Sequence, residues 1–136
     1  MRNLTGTFLA LAMAIAVVAG CSTQQASTPQ ASTQSTAIPS TPIEFRVVPE
    51  RNPAACTRFD AALSRVHTLR AAGDAVSVTS AGGITSNMTQ TSPGVYTTDF
   101  SMGGTTLRVV ANAASSPKSL TITEPRLGCR WSAIAP

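Results

Sequence analysis

The sequence predicts an α+β domain, an antiparallel β-meander of about five to six strands with one amphipathic helix packed on its apolar face. A small closed β-barrel with a helix is the structural alternative. Two patterns carry this expectation. From Val76 to Ile122 apolar residues recur at every second position between clusters of Gly, Ser and Pro, whereas from Ala55 to Leu69 they recur at helical spacing. A third observation is the pair Cys56 and Cys129, which brackets the strand-rich region and suits a small domain stapled in an oxidising compartment.

The elements follow in chain order. Ile43, Phe45 and Val47 alternate with Glu44 and Arg46, the period of a half-buried strand, and Pro49 ends it. Asn52-Pro53 has the form of an N-cap followed by proline at the first helical position, and Gly73 stands where a C-terminal glycine would stop a helix. Between them Ala55, Phe59, Ala62, Leu63, Val66 and Leu69 share one face, with Arg58, Asp60, Ser64 and Arg65 on the other. That narrow apolar stripe is expected to pack on a sheet.

After Gly73 the predicted inward residues are Val76 and Val78, then Ile84 and Met88, then Tyr96, Phe100 and Met102, then Leu107, Val109 and Ala111, then Leu120 and Ile122. Ala81-Gly82-Gly83, Ser92-Pro93-Gly94, Gly103-Gly104 and Ser115-Ser116-Pro117 punctuate them, and short turns make antiparallel neighbours. Thr79, Thr85, Thr89, Thr97, Thr106, Thr121 and Thr123 fall on the outward faces. They offer a flat, weakly charged, hydrogen-bonding platform whose open edges could accept a partner's strand.

At the N-terminus an apolar run from Phe8 to Ala19 follows a single basic residue, Arg2, and closes in Val18-Ala19-Gly20-Cys21. The quartet resembles the lipobox of bacterial lipoproteins. The resemblance implies that residues 1–20 are a signal peptide removed by signal peptidase II, that Cys21 is acylated, and that the membrane is reached through that anchor. Ser22 rather than Asp after the cysteine is similar to the sorting signal of Gram-negative outer-membrane lipoproteins. The expected location is therefore the cell envelope, lipid-anchored to a bacterial membrane, which in a Gram-negative cell is the outer membrane with the domain facing the periplasm.

Residues 21–42 then form a linker. From Ser22 to Thr41 the chain is almost entirely Ser, Thr, Gln, Ala and Pro, uncharged, with Ile38 its one large apolar residue. Such a segment has too little apolar surface to order itself and is expected to be a disordered tether. As a loose coil of about 20 residues it would hold the globular domain, residues 43–136, on the order of 25 Å from the bilayer.

With Cys21 assigned to lipid, Cys56 and Cys129 are expected to form a disulfide across 73 residues. Free thiols or a metal pair are disfavoured, since neither cysteine lies in a C-x-x-C and His67 is the sole histidine. Loss of the signal peptide leaves nine basic residues against six acidic ones. The eight arginines among them are scattered without a stripe, which argues against nucleic acid as a partner.

The candidates for chemistry are thin. His67 is placed on the flank of the predicted helix, where roughly 16 Å of helix would separate it from Cys56 and forbid a dyad. Ser115 and Lys118 have the S-x-x-K spacing, which resembles the nucleophile motif of penicillin-binding proteins. Pro117 interrupts the pair and the S-D-N and K-T-G companions are missing, so a hairpin turn is expected. Glu44, Glu50, Asp60, Asp74, Asp99 and Glu124 are dispersed, with no local carboxylate pair. Met88 and Met102 with His67 could offer donors to Cu(I), although inward methionines are usually core filler.

No catalytic residue, metal ligand or cofactor is therefore expected. The expected role is a non-enzymatic envelope lipoprotein, an interaction or accessory module toward an envelope protein or glycan. A small-ligand or copper-binding lipoprotein, or a hydrolase inhibitor acting through loop 112–119, are the alternatives. A ligand protein should show a pocket of about 300 Å³ or more, with Tyr96, Phe100 and Trp131 expected to line it, and a contact module a filled core.

Overall fold

A computed structural model describes residues 38–136, so the predicted signal peptide, Cys21 and the linker up to residue 37 lie outside the described residues. The chain forms β1 (Ile43–Arg46), β2 (Val48–Pro49), a 3₁₀ turn (Ala54–Cys56), α1 (Thr57–Leu63), β3 (Val66–Ala72) and β4 (Ala75–Thr79). It continues through β5 (Thr85–Ser92), β6 (Val95–Met102), β7 (Thr105–Asn112), β8 (Lys118–Glu124) and β9 (Cys129–Ala135). All paired neighbours are antiparallel, in the order β1-β3-β4-β5-β6-β7-β8-β9-β2.

The two ends of that order are one stretch of chain, β1 and β2, separated only by Val47. The meander therefore curls into a nearly closed barrel, and the barrel form of the expected architecture is the one adopted. Two strands act as corners. The first stretch pairs with β3 through Ile43–Arg46 and with β9 through Val48 and Pro49. Likewise β5 pairs with β4 through Thr85–Met88, then with β6 through Thr89–Ser92, with a register shift between Gln90 and Ser92. Strands that change sheets at a bend or bulge are how two crossed sheets share corners.

This corner has a consequence at one end of the barrel. Thr85–Met88 of β5 and Thr98–Met102 of β6 have no ladder between them, so the wall parts there. The same end carries α1, the β4–β5 turn and the β6–β7 turn, and it is called the mouth below.

Alternation along the strands fills the interior. Phe45, Leu69, Leu107, Leu120, Ile122 and Trp131 have no exposed surface. Burial of each such side chain is worth roughly 1.5–3 kcal/mol. Ile38 also joins the buried cluster, so the core extends into the last residues that composition assigns to the tether.

The expected helix is corrected. It is only Thr57–Leu63 with its preceding 3₁₀ turn, and Val66 and Leu69 belong to strand β3. The stripe spacing is met by chance across the boundary. Val66 and Thr68 are β-branched, and β3 finds hydrogen-bonding neighbours on both sides, β1 and β4, which outweighs a weak helical periodicity. Gly73 ends no helix. It has φ 61° in the two-residue turn between Ala72 and Ala75, where a primed hairpin turn favours glycine.

Two further differences concern the strands. Ile84 is 68% exposed and precedes β5, whose buried apolar residue is Met88. The C-terminal segment is strand β9, with Cys129, Trp131, Ala133 and Ala135 on its buried face. With β2 and β3, it accounts for the strands beyond the expected six.

Candidate functional site: a cavity at the barrel mouth

Helix α1 is fastened to one side of the mouth. Cys56 is disulfide-bonded to Cys129 at the start of β9. One turn on, Asp60 Oδ1 accepts a hydrogen bond from Trp131 Nε1 at 2.8 Å, and the Phe59 ring meets the indole edge-on at 6.1 Å. These contacts all reach β9. The side toward β4, β5 and β6 is left uncovered, next to the parted wall.

A cavity of about 460 Å³ occupies that uncovered side. Leu63, Val78 and Val109 form apolar wall, Phe100 and Met102 border it from β6, and Ala61, Ala62 and Ile84 stand around it from the helix and the β4–β5 turn. Ser80, Ser86 and Ser101 contribute hydroxyl-bearing side chains, and Arg65 and His67 complete the polar lining. Among the described residues no carboxylate borders it. Arg65 directs Nε to the Ala61 carbonyl at 2.9 Å and remains exposed.

His67 is the residue most changed from expectation. It lies on β3, 2% exposed, and borders this cavity rather than standing on a helix flank. Its Nε2 lies 3.0 Å from the Leu63 carbonyl, which can only accept, so Nε2 carries the hydrogen. Burial lowers its pKa below the ordinary 6.5 against a smaller opposing effect of the Leu63 carbonyl, and the ring is neutral at pH 7. Nδ1 then holds a lone pair, with no hydrogen-bond partner among the described residues. Among the described residues the sealed unpartnered side-chain atoms are Asn52 Nδ2 and Ser64 Oγ and do not include it, and the ring it belongs to borders the cavity.

The other candidates resolve into structural roles. Met102 borders the cavity, but Met88 is packed in the core without reaching it, so the thioether and imidazole donors are not gathered. Among the described residues no three of His, Cys, Asp and Glu are grouped to hold a metal. Asp99 is paired bidentately with Arg108 at 2.9 and 3.0 Å, and Glu50 with Arg130 at 2.9 Å. Glu124, 1% exposed, accepts the Leu127 backbone N–H.

Ser115 lies in the β7–β8 connection, its N–H and that of Ala114 bonded to Asn112 Oδ1, while Lys118 begins β8. The same bonds form a local turn within loop 112–119, the loop expected to act in an inhibitor. The threonine face wraps a curved wall; β1 and β2 are joined through Val47, and the unpaired edges lie where β5 and β6 part. Of the residues expected to line a pocket, Phe100 does so, whereas Tyr96 and Trp131 lie elsewhere in the core.

The site is thus a barrel half-covered by a helix, with a mostly apolar cavity in the open half. Comparison with protein-family models, curated proteins and solved structures finds no match for the chain.

Proposed function

We propose that the protein is a non-enzymatic lipoprotein of the bacterial cell envelope that holds a small apolar molecule in the barrel mouth. The observation that carries this reading is the cavity of about 460 Å³, which lies within the range of roughly 300–1,000 Å³ usual for small-molecule sites. A module acting by surface contact alone has no use for an unfilled interior, since a void forfeits packing energy that neighbouring side chains would otherwise supply. The lipobox-like Val18-Ala19-Gly20-Cys21 supports attachment to the membrane through Cys21. Two or three acyl chains would make that attachment lasting, each buried CH₂ contributing about 0.8 kcal/mol.

The test uses the chain from Ser22 to Pro136, which keeps every described residue and omits the acylated cysteine. Titration with N-phenyl-1-naphthylamine, whose fluorescence rises in apolar surroundings, is expected to saturate at one probe per chain. A linear, unsaturable response would overturn the reading.

A further inference from the structure

We propose that the mouth cavity selects an apolar molecule carrying one neutral hydrogen-bond donor, an alcohol or a phenol, and that His67 Nδ1 accepts that hydrogen bond. This rests on the ligand-holding reading above and adds the chemical class of the ligand. The lining offers dispersion contacts over most of its surface, from Leu63, Val78, Phe100, Met102 and Val109. Against that background His67 supplies a fixed polar preference. The hydroxyls of Ser80, Ser86 and Ser101 rotate and serve as donor or acceptor, so they do not discriminate between ligands. The imidazole does discriminate, because the Leu63 carbonyl commits Nε2 as the donor and leaves Nδ1 able only to accept.

The charge pattern narrows the class further. Among the described residues no carboxylate borders the cavity, so none of them compensates an ammonium or a metal ion there. An anion would set its own lone pairs against Nδ1. Arg65, the one cationic lining residue among the described residues, is exposed and directs Nε to the Ala61 carbonyl. A neutral O–H satisfies Nδ1 without bringing a charge into the apolar interior. A ligand that lacks a donor displaces water from Nδ1 and leaves it unpaired, the situation in which hydrogen-bonding sites reject isosteres.

The experiment compares 1-naphthol with naphthalene, near-isosteres differing in the hydroxyl, by calorimetric or equilibrium-dialysis titration of the Ser22–Pro136 chain at pH 7.5. The proposal expects 1-naphthol to bind about tenfold tighter, and the preference to vanish in His67→Leu while naphthalene binding persists. Equal affinities in the unsubstituted chain would overturn the donor preference and leave the ligand-holding reading intact. A preference that survives in folded His67→Leu would show that another group accepts the bond and would equally overturn the assignment. Binding of neither probe would overturn both readings. Should His67→Leu fail to fold, the ¹⁵N shift of His67 Nδ1 in the unsubstituted chain decides: a shift with 1-naphthol and none with naphthalene supports the assignment, and equal shifts overturn it.

Discussion

Trp131 on β9 and Asp60 on α1 are joined by an indole N–H to carboxylate hydrogen bond of 2.8 Å, across 71 residues of sequence. The bond holds the first turn of a seven-residue helix, too short to be stable alone, against the last strand. It works beside the Cys56–Cys129 disulfide and the edge-on packing of Phe59 on the indole. Trp131→Phe keeps most of the buried ring and removes the donor. It should cost about 1–3 kcal/mol in urea denaturation, and Asp60→Asn, which can still accept, should cost less.

Reduction of the disulfide should act on the same helix through the unfolded chain. Closing a 73-residue loop is worth roughly 4–5 kcal/mol in the chain-entropy model, and native bridges typically contribute about 2–5 kcal/mol. The oxidised Ser22–Pro136 chain should show no titratable thiol, and its urea midpoint should fall sharply with reductant. Two reactive thiols before reduction would contradict the bridge.

Acid should weaken the fold in a window set by His67. The folded state depresses this pKa, so the unfolded chain takes up the proton first as pH falls below 6.5. The stability contribution is complete above 6.5 and is lost on descending toward the folded value. The melting temperature should therefore drop between pH 7.5 and 5, and His67→Gln should flatten that dependence. Asp99, whose pKa is lowered by its hydrogen bonds from Arg108, acts elsewhere, its contribution being lost only below its ordinary 3.8.

Gly94 is predicted to tolerate no side chain. It has φ 73°, and an added Cβ would come within 2.6 Å of the Ala114 Cβ and 3.0 Å of the Ala114 nitrogen, where Gly94 also accepts the Ala113 N–H at 2.8 Å. Gly94→Ala should cost more than the roughly 1–2 kcal/mol of a left-handed residue alone. Gly83→Ala, at φ 81° with nothing within 4 Å, should incur only that backbone cost.

Cys21→Ser in cells should leave an unprocessed precursor that no longer partitions into detergent as a lipidated mature protein. An unchanged mass and unchanged partitioning would contradict the lipoprotein assignment.

Much of the barrel was legible because its strands obey a strict period of two. Leu107, Val109 and Ala111, and Leu120 and Ile122, face inward as their spacing predicts. The helix boundary was not legible, because Leu63, Val66 and Leu69 satisfy helical spacing while the last two are held in β3 by partners distant in sequence. That error carried over to the site. With His67 on a helix it looked isolated; on β3 it is buried beside the cavity. A signal did exist: Val66-His67-Thr68-Leu69 also alternates, with β-branched residues at both outward positions. The cavity itself is no sequence property, since it comes from the parting of β5 and β6 and from the side on which the disulfide and Trp131 hold the helix.

The most direct measurement of ligand holding is methyl NMR of the Ser22–Pro136 chain during titration with N-phenyl-1-naphthylamine. The account predicts saturable shifts concentrated at Leu63, Val78, Ile84, Met102 and Val109, and loss of those shifts in Ala62→Trp, which fills the cavity from the exposed side of the helix. Shifts confined to Val48, Leu127 and Ile134, exposed apolar residues outside the cavity lining, would contradict it.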